Sequence, residues 1–205
     1  KTSNKTGELF NAVQLNGNIS GMIWKSDGND IRRKYDFSYD GANRLLKADF
    51  EQQNADDHAW NKSKMDFSMK MGDGLDYTSA YDANGNIKRM QQWGLRGAAI
   101  AQIDDLRYNY DNGDKSNKLL NVGDLMNDAQ TTLGDFRVSA QNPTQTKLTT
   151  TVDYTYDLNG NLLKDLNKNI STSANGTGIT YNYLNLPEQI TIKREYSYRT
   201  FALYD

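Results

Sequence analysis

Apolar and aromatic residues alternate with polar ones in short runs, and each run ends in a cluster of Asp, Asn and Gly. In the clearest stretch Val152, Tyr154 and Tyr156 stand two apart, Asp157-Leu158-Asn159-Gly160-Asn161 comes next, and Leu162-Leu163 resumes the apolar pattern. A spacing of two lines one face of a strand and cannot hold one face of a helix. Asn and Gly tolerate positive φ, and an Asp carboxylate bonds the backbone two residues on, so the cluster reads as a tight turn. The unit is strand, turn, strand.

It recurs along the chain. Tyr35 and Tyr39 precede Asp40, with Leu45-Leu46 after the turn. Tyr77 and Tyr81 precede Asp82, Gly85, Asn86 and Ile87, and Tyr108 and Tyr110 precede Asp111-Asn112-Gly113 and Leu119-Leu120. Tyr181 and Tyr183 precede Pro187 and Ile190. A partial copy, Leu15-Asn16-Gly17-Asn18-Ile19, runs on to Trp24, with an entry strand expected over 9–13. Self-similarity of this kind marks a repeat architecture of about six units. With Tyr39, Tyr81, Tyr110, Tyr156 and Tyr183 as the second tyrosines, the spacing predicts an all-β array of antiparallel hairpins in one curved sheet. No Pro- or Ser-rich linker divides it, so 1–205 reads as one array, with inserts at 51–76 and 121–151. The first insert contains Trp60 and the alternating run 65–71, and is expected to add a strand pair. The second is expected to be a loop with one helical turn near 125–130.

Composition sharpens this picture. Only 37% of the 205 residues are hydrophobic, yet the chain has 13 tyrosines and three tryptophans beside 23 asparagines. Mean hydropathy is −0.84. Disordered chains are poor in aromatics, whereas a thin, well-solvated sheet needs side chains that bury area and keep a polar tip. Net charge is −2 with both signs interspersed, so no basic stripe points to nucleic acid. No apolar stretch is long enough to span a membrane as a helix. Cysteine is absent, which removes disulfides and thiolate metal sites.

The repeated phrase resembles the YD repeat of the RHS (rearrangement hot spot) family, whose pattern is Tyr-x-Tyr-Asp-x-x-Gly-Asn/Arg-Leu. The resemblance covers most of the chain, with Gly17 to Trp24, Phe37 to Leu45, Asp165 to Ile170 and Tyr183 to Ile190 similar to RHS proteins of Bacteroidetes. It implies a segment of a large secreted or surface bacterial protein, whose repeats wind a β-sheet into a hollow shell around a C-terminal toxin domain. Its partners would be flanking repeats and that C-terminal domain. The Asp-Pro-rich segment at which the family closes and cleaves its shell has no counterpart here. Tyr204-Asp205 looks like the opening of another repeat, so an excised stretch is expected, with open sheet edges prone to self-association.

Candidate chemistry is sparse. Asp82, Asn84 and Asn86, and Asp157, Asn159 and Asn161, place oxygens at alternate positions as a calcium loop does. Such a loop also needs Gly at position 6 and Glu at position 12, where this chain has Ile87 and Trp93 or Leu162 and Lys168. Turn chemistry is the expectation, and no metal or cofactor. His58 is the single histidine and cannot build a usual zinc site alone. The carboxylate pairs Asp104-Asp105 and Asp73 with Asp76 would serve glycoside hydrolysis only across a cleft, with one pKa raised. The expectation is no enzyme. The rival is a carbohydrate or cell-surface binding module using exposed Tyr together with Trp24, Trp60 and Trp93.

Overall fold

The computed structural model describes residues 10, 13–28, 30–126, 136, 138–139, 146–172 and 176–203. It is all-β, with 46% strand against 6% helix. The described residues fall into two compact units, one drawn from 1–106 and 126, the other from 107–125 and 136–205.

In the first unit the alternating runs become β1 (Gly21–Lys25), β2 (Arg32–Tyr39), β3 (Leu45–Gln53), β4 (Trp60–Asn61) and β5 (Met69–Met71). After the single turn α1 (Tyr77–Ala80) come β6 (Arg89–Arg96) and β7 (Ala99–Tyr110), which continues into the second unit. The order is β1-β2-β3-β5-β6-β7, with β4 also on β3. Both strands of the first insert therefore form, and both pair with β3.

In the second unit β8 (Leu119–Asp124) returns after β7, the connection closed by Asp111 N–H to Lys118 O at 2.9 Å. Then come the hairpin of β9 (Tyr154–Tyr156) with β10 (Leu162–Asp165), and the ladder of β11 (Ile179–Tyr181), β12 (Pro187–Lys193) and β13 (Tyr198–Ala202).

Three expectations are corrected. Ladder pairing separates β9–β10 from β11–β13, so the strands do not form the single sheet expected. The turn at Leu166–Lys168 interrupts the edge of β10, and isolated bonds such as Gly178 N–H to Leu163 O (2.7 Å) bridge that edge to the residues entering β11. Tyr77–Ala80 is helical rather than a strand. Asp76 caps it, accepting from the Thr78 N–H at 2.9 Å and hydroxyl at 2.6 Å, and local capping wins over a weak strand pattern. Within 65–71 only Met69–Met71 is strand, because Asp66 turns back on the Ser68 N–H at 2.8 Å. The entry strand over 9–13 and the helical turn near 125–130 lie largely outside the described residues.

Interior packing is mostly polar. Among the described residues, 14 buried side chains are polar or charged against 10 that are hydrophobic, so the sheet is not wrapped round an oily core. The apolar nucleus of the first unit is Leu46, Met71, Ala80 and Tyr81, flanked by Met69, Ile87 and Met90.

Candidate functional site

The turns come first, because they fix everything else. In Asp157-Leu158-Asn159-Gly160-Asn161 the Asp157 Oδ1 accepts the Asn159 N–H at 2.9 Å and the Asn161 N–H at 2.8 Å, and its Oδ2 accepts the Asn161 amide at 2.8 Å. The backbone closes with Asp157 N–H to Asn161 O and Gly160 N–H to Asp157 O. Asp82 holds Asn84 and Asn86 in the same way at 2.9, 2.8 and 2.8 Å. Asp40 does so for Ala42 and Arg44, with the Arg44 guanidinium at 2.7 Å in place of the amide. Asn182 repeats the two backbone contacts, to Leu184 and Leu186. The third residue on takes positive φ each time: Asn43 64°, Gly85 87°, Gly160 87°, Asn185 60°. These carboxylates are thus occupied by their own turns rather than aimed at a cation. Partial desolvation pushes the Asp157 carboxyl up, but the donors of Asn161, Asn159 and Gly160 outweigh it and hold it below its ordinary value.

The tyrosine before the turn does a second job. The Tyr39 hydroxyl donates to Ile19 O at 3.0 Å, Tyr81 to Leu45 O at 2.5 Å, Tyr156 to Leu119 O at 3.1 Å and Tyr181 to Leu162 O at 2.7 Å. Each acceptor is the first apolar residue after the preceding turn. Neighbouring turns are also laced by asparagine. Asn16 and Asn18 donate to Asn43 Oδ1, and Asn159 and Asn161 both donate to Asn185 Oδ1 at 2.9 Å. Tyr183 does not belong to this set. It lies within the turn, 92% exposed, and Tyr181 takes the position that Tyr156 holds one copy earlier. The error is one of register: Asn182, not a residue after Tyr183, replaces the aspartate. Tyr154 is half-buried, and burial pushes its hydroxyl up to about 12, opposed by the Asn167 amide donating to it at 3.1 Å. Asp111 departs from the pattern, opening a longer turn with Asn112 and Gly113 at φ 54° and 60°.

Cross-strand register gives the first unit two unlike faces. One carries Met22, Trp24, Tyr35, Phe37, Ala48 and Phe50. Here Trp24, Tyr35 and Phe37 stack in a row at 5.5 and 5.8 Å, and Phe50, 1% exposed, meets Tyr35 and Phe67 edge-on. The other face carries Lys34, Asp36, Lys47, Asp49 and Glu51. Lys34 is buried between Asp36 (3.0 Å) and Glu51 (2.8 Å), and Lys47 and Lys62 both reach Asp49. Desolvation lowers the Lys34 ammonium, but its two carboxylates raise it further, above its ordinary value. Trp60 lies under Lys34 and Trp93 under Lys70, at 5.2 and 5.0 Å. The three tryptophans are therefore spread between separate environments and do not form one platform.

The remaining candidates stay apart. His58, at φ 56°, borders a surface cleft of about 350 Å³ with Lys25, Asp30, Arg32 and Gln53. Asp105 is held bidentately by Arg89 at 2.6 and 2.7 Å. Asp73 and Asp76 are exposed and both lie below their ordinary value, Asp73 through the N–H groups of Asp76 and Leu75, Asp76 through the Thr78 hydroxyl and N–H. Neither is poised as a general acid. Among the described residues no helix is long and apolar enough to cross a membrane.

No family model, curated protein or solved structure matches this chain. The site therefore stands on its own geometry, a ladder of tyrosine and asparagine contacts from one hairpin to the next.

Proposed function

We propose that this chain is a non-enzymatic scaffolding segment of an RHS-type protein, secreted or at the bacterial cell surface, and part of a β-shell wall that encloses a C-terminal, toxin-like domain of the same longer chain. The reading rests on one observation above all. At four of the turns the tyrosine just before the turn spends its hydroxyl on the backbone of the hairpin before it. Residues at fixed places in a repeat, used for contact with the neighbouring copy, are what a wall requires. The turn carboxylates are likewise spent on their own loops. Electron microscopy of the full-length protein tests this. The reading expects the hairpin ladder to continue on both sides of this segment. A free-standing domain on a flexible tether would overturn it.

The stacked row of Trp24, Tyr35 and Phe37 favours a second reading, a carbohydrate or cell-surface binding module. A glycan array decides between them. Binding that Tyr35→Ala abolishes would replace the scaffold reading, and a blank array would leave the ring row as packing.

A further inference from the structure

The turn at Asp111 leaves polar groups unspent. Asp40, Asp82 and Asp157 each hold two N–H groups of their own turns. Among the described residues the Asp111 carboxylate takes one, that of Asn112 at 2.8 Å. The chain then runs out through Asn112 and Gly113, both at positive φ, and a cleft of about 490 Å³ opens beside it. Asn109 and Tyr110 from the end of β7, Asn112, Leu120 from β8, and Thr149 and Thr150 line it. Its walls are fixed from beneath by Asn121, which is 0% exposed. The Asn121 Oδ1 accepts the Asn109 amide at 2.8 Å, and its own amide donates to Leu148 O at 3.1 Å and Thr151 O at 2.7 Å. One buried side chain therefore joins the β7 side of the cleft to the 148–151 turn. The Asn109 Oδ1, the Asn112 amide and the Thr149 and Thr150 hydroxyls have no partner among the described residues.

We propose that this cleft binds one pyranose ring of an uncharged saccharide. A pyranose presents an apolar C–H face and a rim of hydroxyls that both donate and accept. The cleft presents the matching set. Tyr110 and Leu120 supply apolar surface, the Asn112 amide and the two threonine hydroxyls both donate and accept, and the Asn109 Oδ1 accepts. No Lys, Arg, His, Asp or Glu is among the described lining residues, so an anionic or cationic ligand finds no counter-charge, while a wholly apolar one leaves the amides unpaired. The volume lies within the range of small-molecule sites, and walls already held by Asn121 need no ordering when the ligand arrives. None of these residues belongs to the Trp24, Tyr35 and Phe37 row, so the site stands or falls apart from that row. It is equally compatible with a wall segment, since the groups that join neighbouring hairpins are not used.

Saturation-transfer NMR of the whole chain with the methyl pyranosides of glucose, galactose and mannose tests this. At least one is expected to bind in the millimolar range, with transfer strongest to the ring protons of one face. Asn112→Gly removes the amide yet keeps positive φ without strain, and Thr150→Ala removes a hydroxyl at an exposed position. Each is expected to weaken binding by about tenfold, the equivalent of one lost hydrogen bond. Tyr110→Ala is expected to abolish it, and Tyr35→Ala to leave it unchanged. No transfer to any of the three sugars at high millimolar concentration would overturn the proposal. So would binding that Asn112→Gly and Thr150→Ala leave intact, binding that Tyr35→Ala removes, or a preference for a methyl glucuronide over the glucoside. If Tyr110→Ala fails to fold, the two exposed positions still decide.

Discussion

Tyr81→Phe isolates the hydroxyl that joins one hairpin to the one before. Tyr81 is buried in the nucleus with Leu46 and Met71, and its hydroxyl reaches Leu45 O at 2.5 Å. The Arg44 guanidinium lies 4.4 Å from the ring centroid, a contact that phenylalanine retains. The substitution thus removes one hydrogen bond and leaves the Leu45 carbonyl short of a donor. A lost bond of this kind costs about 1 kcal/mol net, and an unsatisfied partner brings it to about 1–3 kcal/mol. At roughly 2–4 °C per kcal/mol for a protein of this size, the melting midpoint should fall by several degrees. Tyr81→Ala, which also removes the ring, should cost about 3–5 kcal/mol. Urea unfolding followed by tryptophan fluorescence is the assay of choice, since Trp24, Trp60 and Trp93 all belong to the unit containing Tyr81. Tyr183→Phe serves as control, because that ring is 92% exposed, and should shift the midpoint negligibly. A Tyr81→Phe protein within about 0.3 kcal/mol of the parent would show that the hydroxyl contributes nothing, and the ladder would lose its energetic meaning.

Gly160→Val should cost on the order of 1 kcal/mol or more through φ alone, since a β-carbon at that position meets no atom within 4 Å; an unchanged thermal midpoint would refute this. Gly178→Ala should be worse for a different reason, because its β-carbon would stand 2.5 Å from the Ile170 carbonyl carbon; about 1–3 kcal/mol is expected by calorimetry, and a neutral result would refute the close packing there. Asp157 has its folded pKa below the ordinary value of 3.8, so its contribution is present above that pH and fades as pH falls through the folded value. Asp157→Ala should therefore be less stable than the parent at neutral pH, and the two should converge in strong acid; a gap independent of pH would contradict it.

The strand–turn–strand unit was legible because its signals are local. Asp157, Asn159 and Gly160 declare the turn by their own conformational preferences, and the positive φ at Gly85 and Gly160 is dictated by residue type. What was hidden depends on partners distant in sequence. Nothing near Tyr183 betrays that Asn182 is the turn's first residue and that Tyr181 bears the contact to Leu162, since the Tyr-x-Tyr pattern fits either register. The helical turn at Tyr77–Ala80 was concealed by tyrosines four apart, a spacing that suits both strand and helix; Asp76, an N-capping residue ahead of Thr78, was the available clue. The ion pairs of Lys34 could be guessed only as alternation, because Asp36 lies on its own strand while Glu51 arrives from β3.

In the tyrosine ladder the donor always comes later in the chain than the acceptor, by 20, 36, 37 and 19 residues. On a ribosome adding about 5–20 residues per second, each carbonyl has been out for roughly one to seven seconds when its tyrosine emerges. Each of these four tyrosines meets an acceptor already made, whereas the asparagine links from Asn16 and Asn18 to Asn43, and from Asn159 and Asn161 to Asn185, wait for the later turn. Trimming from the two ends is therefore unequal. Hairpins lost from the C-terminal end take their own tyrosine donors with them, whereas removing the segment around Ile19 strands the Tyr39 hydroxyl. Serial deletions should accordingly tolerate shortening from the C-terminal side and fail early from the other.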